Sequence, residues 1–403
     1  MRTLLLIIFS LQAVVTGLFQ TTSNPGIEIV NQQTSYQYGE FLDFNASFKF
    51  NEPVKNAYLS VRTEGSDIQT IPVDIQDDSQ IKYRYDLKVH PLRPFTSVEY
   101  YFSFIQSDGS TWSTQPFVLD YRDNRYAWQT LNDGTFQVYW YEGDLAFGQA
   151  ILNAANEGQK QALSIIPGTL STPVKILVYS TSDDMQTALT LSGEQWVAGS
   201  SNPEIGLVIV SISPSPEARF ELGRQIPHEI MHLQLYQALG PAYDKLPPWL
   251  LEGIASYVET KPNQDYQRAL NRAADEEKLI PMQNLCGSFP TEASGAFLAY
   301  AQSESFVSYL IKTGGAEKLY NLTAQYRDGL GCNEGLKEVY GLDLDQMDLR
   351  WRENILGFSL QQMAFTNLLP YILVALVIIL PALLIGFFSH NASKTTELRD
   401  DAD

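Results

Sequence analysis

Apolar and polar residues alternate along most of the first third of the chain. Residues 41–50 read FLDFNASFKF, with an apolar side chain at every second position, and NAYLSVRT, IQTIPVDIQ and IKYRYDLKV follow at short spacing. Segments of this kind, separated by turns such as Ser107 to Ser110, are typical of antiparallel strands with one buried face. The pattern predicts an all-β sandwich of Ig-like or fibronectin-like type over 18–126, a domain that could act as a spacer or bind a partner.

The period changes after residue 126. Apolar residues have helical spacing in GDLAFGQAILNAANEGQKQALSII, whereas PVKILVYS and IGLVIVSIS are short apolar runs typical of buried strands. Helical patterns dominate from Glu217 onward. We therefore expect an α+β domain over 127–366.

Two uncharged apolar runs lie near the ends of the chain. The first follows Arg2 and precedes small residues at 15–17, a pattern that predicts a secretory signal over 1–17. The second, LLPYILVALVIILPALLIGFF, extends over roughly 30 Å as a helix, which matches one hydrocarbon core. It predicts a single transmembrane helix over 367–389, a cytoplasmic tail over 390–403, and folded domains outside the cytoplasm.

The composition bears on nucleic-acid binding and on disulfide formation. Among 403 residues, 46 are acidic and 27 are basic, for a net charge of −19. Because nucleic acids attract basic surfaces, this balance argues against a nucleic-acid partner. Cys286 and Cys332 form an even pair, which suggests one disulfide in an exported protein. Sequence alone leaves open whether they lie within bonding distance.

The segment IPHEIMH contains the strongest candidate for chemistry. His228 and His232 stand at positions i and i+4, on one face of a helix, where two imidazoles can bind one metal ion. Glu229, about 100° around the helix, could take a proton from a water on that metal. The alternative without a function is an ordinary solvated helix face, but the flanking apolar residues favour a buried helix. Pro227 predicts that the helix either starts or kinks there.

A third ligand is needed to complete a zinc site. One arrangement of ligands would need a histidine at position 238, which is Ala238. Downstream, LPPWLLEGIASYVET predicts a second helix that starts at its prolines and extends to Glu259. Glu252 on this helix completes a His-His-Glu set for Zn²⁺. Glu259 lies on the same face, where it could orient a ligand histidine or simply face solvent.

The combination of HEIMH with WLLEG resembles the gluzincin metallopeptidases, and WLLEGIA is similar to the WLxEGxA helix of aminopeptidase-N-like enzymes. VYWYEGDLAFG, GLVIVS and AYAQSESFVSYL are similar to segments of the bacterial peptidase-MA-like family, over roughly residues 127–345. The resemblance implies a gluzincin-type domain that hydrolyses peptide or protein substrates with zinc. A GxMEN-like sequence is lacking before the helix, so endopeptidase and exopeptidase action both stay open.

Hydrolysis also needs a donor to the oxyanion that forms on the attacked carbonyl. Tyr300, in the helix that matches the family, is the first candidate, and a packed core tyrosine is the equal alternative. The sequence thus predicts a membrane-anchored, extracytoplasmic zinc peptidase. The alternative is a non-catalytic adhesion or scaffold protein with an inactive peptidase-like domain.

Overall fold

A computed structural model describes residues 27–76, 79–171, 173–192 and 199–357, with three short pieces at 368–369, 371–376 and 378–379. The predicted signal over 1–17 and the predicted tail over 390–403 lie outside the described residues.

Two antiparallel sheets form the first part of the molecule. One sheet has the order β1 (Ile27–Gln37), β2 (Phe41–Phe50), β5 (Gln80–Asp86). The other has the order β4 (Gln69–Val73), β3 (Val54–Thr63), β6 (Thr96–Gln106), β7 (Thr111–Ser113), and β8 (Phe117–Tyr121) also pairs with β6.

The two sheets pack face to face through the apolar positions of the alternating pattern. The ring centroids of Phe44 and Tyr100 lie 4.7 Å apart, and those of Phe48 and Phe102 lie 5.4 Å apart. All four side chains are buried in one shared core. The predicted β-rich first part is therefore confirmed, whereas its Ig-like type is not.

A mixed five-stranded sheet begins the second part. Its strands are β9 (Gln129–Asn132), β10 (Phe136–Trp140), β11 (Val174–Tyr179), β12 (Gly199–Asn202) and β13 (Leu207–Ser211), in the order β12-β13-β11-β10-β9. The three central strands are parallel and the two edge strands antiparallel. Helix α1 (Leu145–Ile165) joins β10 to β11, and α2 (Ser182–Leu191) follows β11.

Both faces of this sheet are covered, which explains why its central strands lack alternation. Leu177 and Ile209 point towards the β-sandwich and share its core. Ile176 and Val208 point the other way, into a core formed with α1 and with α3 (Ala218–Leu239). The two predicted domains therefore meet across an apolar interface.

Five further helices are described between residues 248 and 356: α4 (Pro248–Tyr257), α5 (Gln264–Asp275), α6 (Ala293–Arg327), α7 (Cys332–Tyr340) and α8 (Leu344–Leu356). The predicted helical character of this region is confirmed. Short 3-10 helices span Gly240–Lys245 and Met282–Leu285. Helix α6 changes direction at Gly315, which has a φ of 79°. Residues with a side chain rarely adopt this backbone conformation.

The cysteine pair is bonded, with 6.0 Å between the Cα atoms of Cys286 and Cys332. This confirms the predicted bridge. The bond ties the residue after the second 3-10 helix to the start of α7. The indole nitrogen of Trp249 lies 3.2 Å from the sulfur of Cys332, so the bridge packs against the helix that contains Glu252.

Within the described part of the chain, each helix is either too short or too polar to cross a bilayer. Of the predicted membrane segment over 367–389, only the three short pieces named above are described, and they are helical. The rest lies outside the described residues, so the membrane helix stays a prediction.

Candidate metal centre

Helix α3 begins well before the HEIMH segment and runs through Pro227. Of the two alternatives that the sequence left open at this proline, a helix start is therefore excluded. Proline has no N–H, and the carbonyl of Gly223, four residues earlier, therefore lacks its helical donor. That carbonyl accepts hydrogen bonds from the backbone nitrogens of Thr260 at 2.8 Å and Lys261 at 3.2 Å. The freed carbonyl thus attaches the chain just after α4 to the first third of α3.

Two glycines let neighbouring helices approach this region closely. A Cβ on Gly158 of α1 would lie 2.8 Å from the Cα of Pro227. A Cβ on Gly253, the residue after Glu252, would lie 2.6 Å from the backbone oxygen of Ser303 in α6. The glycine of WLLEG therefore allows α4 to pack directly on the backbone of α6.

The structure brings the three predicted ligands together. Nε2 of His228 lies 3.3 Å from Oε2 of Glu252, and Nε2 of His232 lies 3.7 Å from the same oxygen. One potential ligand atom from each residue falls within 4.8 Å of the others. Two imidazole nitrogens and one carboxylate oxygen at this spacing fit a divalent metal ion such as zinc.

Each histidine also contacts a second residue with its other ring nitrogen. Nδ1 of His228 lies 3.3 Å from Oε1 of Glu259, which is the contact that the sequence raised as one of two possibilities. Nδ1 of His232 lies 3.0 Å from the hydroxyl of Tyr243. Sequence reasoning missed Tyr243, because it lies in a turn-rich segment without helical or strand periodicity.

The charges at this centre favour a cation between the three side chains. Burial favours neutral His228, but hydrogen bonds to Glu252 and Glu259 outweigh it and raise the pKa of His228 to about 10. Burial lowers the pKa of His232. Burial also opposes the charge of Glu252, but the two histidines hold its pKa below the usual range. A divalent ion bound between these side chains would take the place of a proton on His228.

The two predicted catalytic side chains lie at the same centre. Glu229 is buried. The ring centroid of Tyr300, on α6, lies 6.4 Å from that of His228. Burial first, then the charge of Glu252, raises the pKa of Tyr300 above its usual value. The hydroxyl therefore keeps its proton and can donate it. The catalytic roles themselves stay predictions.

A second carboxyl lies behind Glu259. Glu304 on α6 is partly buried, and burial followed by the negative charge of Glu259 raises its pKa to about 7. Between pH 4.5, the ordinary pKa, and about 7, folded protein retains a proton that the unfolded chain releases. The stability that this proton contributes is complete below the lower value and is lost as pH rises through the upper one.

Glu304→Gln should remove this pH dependence, because the amide is neutral at every pH. At pH 8 the variant should be more stable than wild type by at most about 3 kcal/mol, and this gain should vanish near pH 4.5. Urea unfolding at the two pH values measures it. Glu317→Gln, on an exposed face of the same helix, is the matched control. A difference between Glu304→Gln and wild type that does not vary with pH would contradict the expectation.

A known protein family matches the region around the centre. The family model of the peptidase MA superfamily matches residues 155–357, half of the chain, and the match includes both histidines and Glu252. The resemblance that the sequence motifs indicate is confirmed by this match. No curated protein matches the chain.

Solved structures give weaker likenesses. An M1 zinc metallopeptidase from Deinococcus radiodurans is 10% identical over 81% of this chain and 94% of its own, with a TM-score of 0.33. A β-1,3-glucan binding domain of carbohydrate-binding module family 56 is 12% identical over 22% of this chain and 95% of its own, with a TM-score of 0.17. At these TM-scores neither likeness supports an assignment, which rests on the family match.

Proposed function

We propose, from the premise that this chain belongs to the peptidase MA superfamily, that it is a zinc-dependent peptidase acting on peptide or protein substrates. One observation carries the proposal. The potential ligand atoms of His228, His232 and Glu252 lie within 4.8 Å of one another, and the carboxylate of Glu229 follows the first ligand directly on the same helix.

The donor set suits zinc because two imidazoles and one carboxylate are a common set of protein ligands in catalytic zinc sites, which keep one position open. His228, His232 and Glu252 would hold the ion. Bound there, Zn²⁺ would lower the pKa of a water molecule and polarise the scissile carbonyl.

The remaining chemistry falls to side chains of this chain. Glu229 takes the proton of the attacking water and passes it to the leaving amine; its burial and its position directly after the first ligand support this role. Tyr300 donates its hydroxyl proton in a hydrogen bond to the carbonyl oxygen as negative charge develops there. Glu259 accepts from Nδ1 of His228 and fixes the orientation of that ring.

The decisive experiment combines metal analysis with a search for substrates. Full-length protein purified in mild detergent should contain about one zinc per chain, since the three ligands form one site. It should cleave members of a mixed peptide library, detected by mass spectrometry. A chelator should stop cleavage and added zinc should restore it. Absence of stoichiometric zinc would overturn the metal centre. Zinc without any cleavage would favour the non-catalytic adhesion or scaffold alternative.

We further propose that the peptidase is anchored in a membrane by 367–389 and faces the extracytoplasmic side. The uncharged apolar run and the signal pattern over 1–17 support this, as does the Cys286–Cys332 bridge, because disulfides persist mainly in oxidising compartments. External protease should remove the folded part from intact cells and leave a short membrane fragment. Protection of the folded part until the cells are broken would exclude this orientation.

A further inference from the structure

Each ring nitrogen of His232 faces an oxygen atom of another side chain. Nε2 faces Glu252 at 3.7 Å, on the side of the ligand cluster. Nδ1 faces the hydroxyl of Tyr243 at 3.0 Å, on the opposite side of the ring. The phenol is thus behind the histidine and contacts the atom that is not used as a ligand.

The direction of this hydrogen bond follows from the ligand role. When Nε2 of a neutral imidazole binds a metal ion, Nδ1 is the nitrogen that retains its proton. Nδ1 of His232 then donates and the oxygen of Tyr243 accepts. A phenol is neutral at physiological pH, because its ordinary pKa is about 10.

Tyr243 is itself fixed by its surroundings. It belongs to the 3-10 helix Gly240–Lys245, and its backbone carbonyl accepts a hydrogen bond from Leu246 at 3.1 Å. Its ring packs against that of Tyr236, with 5.8 Å between the centroids. The hydroxyl is therefore presented from a short segment whose backbone and ring are both constrained.

A neutral acceptor has an advantage at this position. Glu229, Glu252 and Glu259 already place three carboxylates at or next to the ligands. A fourth carboxylate behind His232 would add negative charge and weaken the attraction between a bound cation and a substrate carbonyl. A phenol oxygen can hold the ring and select the tautomer without adding that charge.

We propose that Tyr243 is a positioning residue of the metal centre, which fixes the ring orientation and the Nδ1–H tautomer of His232. The role rests on the proposed zinc-dependent function. It assigns the two histidines different supports, a carboxylate behind His228 and a phenol behind His232.

The test is Tyr243→Phe, with Tyr236→Phe as the matched control. The control removes a hydroxyl from the neighbouring ring, which contacts Glu204 at 3.4 Å and not a histidine. Zinc dissociation constants come from competition with a chromogenic chelator, using full-length protein. Tyr243→Phe should bind zinc on the order of 10-fold to 100-fold more weakly, as loss of an outer-shell hydrogen bond does. Tyr236→Phe should match wild type.

A spectroscopic signature separates positioning from a general loss of structure. In zinc-loaded protein labelled with ¹⁵N-histidine, the Nδ1 proton of His232 should exchange slowly in wild type and in Tyr236→Phe. It should exchange fast in Tyr243→Phe, while the Nδ1 proton of His228 stays protected. Unchanged zinc affinity and exchange in Tyr243→Phe would overturn the positioning role alone. A wild type without zinc affinity would instead overturn the proposed function.

Discussion

Glu229→Gln should bind zinc as wild type does and lose peptide hydrolysis. The amide has nearly the shape of the carboxylate, but it cannot accept the proton of the attacking water. Removal of a general base costs on the order of 100-fold or more. The measurement is kcat/KM on a peptide cleaved by wild type, together with zinc content per chain. Because Glu229 follows the ligand His228 directly, metal content shows whether the centre itself is intact.

Glu217→Gln is the control for this variant. Glu217 is the N-cap of α3 and is exposed to solvent. The substitution therefore makes the same chemical change, carboxylate to amide, at the start of the same helix. It should retain wild-type hydrolysis. Near-normal turnover by Glu229→Gln, with zinc bound, would mean that another group is the base.

Glu252→Ala should lose the metal. The substitution removes one of three ligands and leaves His228 and His232 without the carboxylate that lies 3.3 Å and 3.7 Å from their Nε2 atoms. The loss in zinc affinity should exceed the roughly 10-fold to 100-fold that residues behind the ligands contribute. Chelator competition measures the affinity, and hydrolysis should fall in parallel at limiting zinc.

Glu259→Gln is the comparison variant, for which a smaller loss of zinc affinity is expected than for Glu252→Ala. Glu259 contacts Nδ1 of His228 and not the ligand cluster, so its loss should weaken binding by only about 10-fold to 100-fold. The expected order of affinity is wild type, then Glu259→Gln, then Glu252→Ala. Wild-type affinity in Glu252→Ala would exclude this carboxylate as a ligand.

Local spacing was enough to predict the pair of histidines. Positions i and i+4 on a helix fix the relation of His228 to His232 without any knowledge of the fold. The prolines before Trp249 marked the start of the helix that contains Glu252. Contact between these two helices depends on the tertiary fold. Only the resemblance to a family predicted it.

Other features depend on the path of the chain and carry no periodic signal. The contact of Tyr243 with His232 is set by a 3-10 helix in a segment that reads as a turn. Burial of Leu177 and Ile209 followed from their apolar strands, but their packing against the β-sandwich did not. The spacing of the cysteines likewise contained no information on the 6.0 Å between their Cα atoms.

The carbonyl of Gly223, freed by Pro227, has a consequence for local opening. Segments at the end of a helix commonly open by themselves, at little free-energy cost. Here the backbone amides of Thr260 and Lys261 bond to the first third of α3, so the segment just after Glu259 cannot fray without breaking those bonds. We infer that Glu259 and the helix bearing His228 open as one cooperative unit, which amide hydrogen exchange at Thr260 would report. On this inference, the proline before His228 couples the order of the candidate metal centre to the stability of the helices around it.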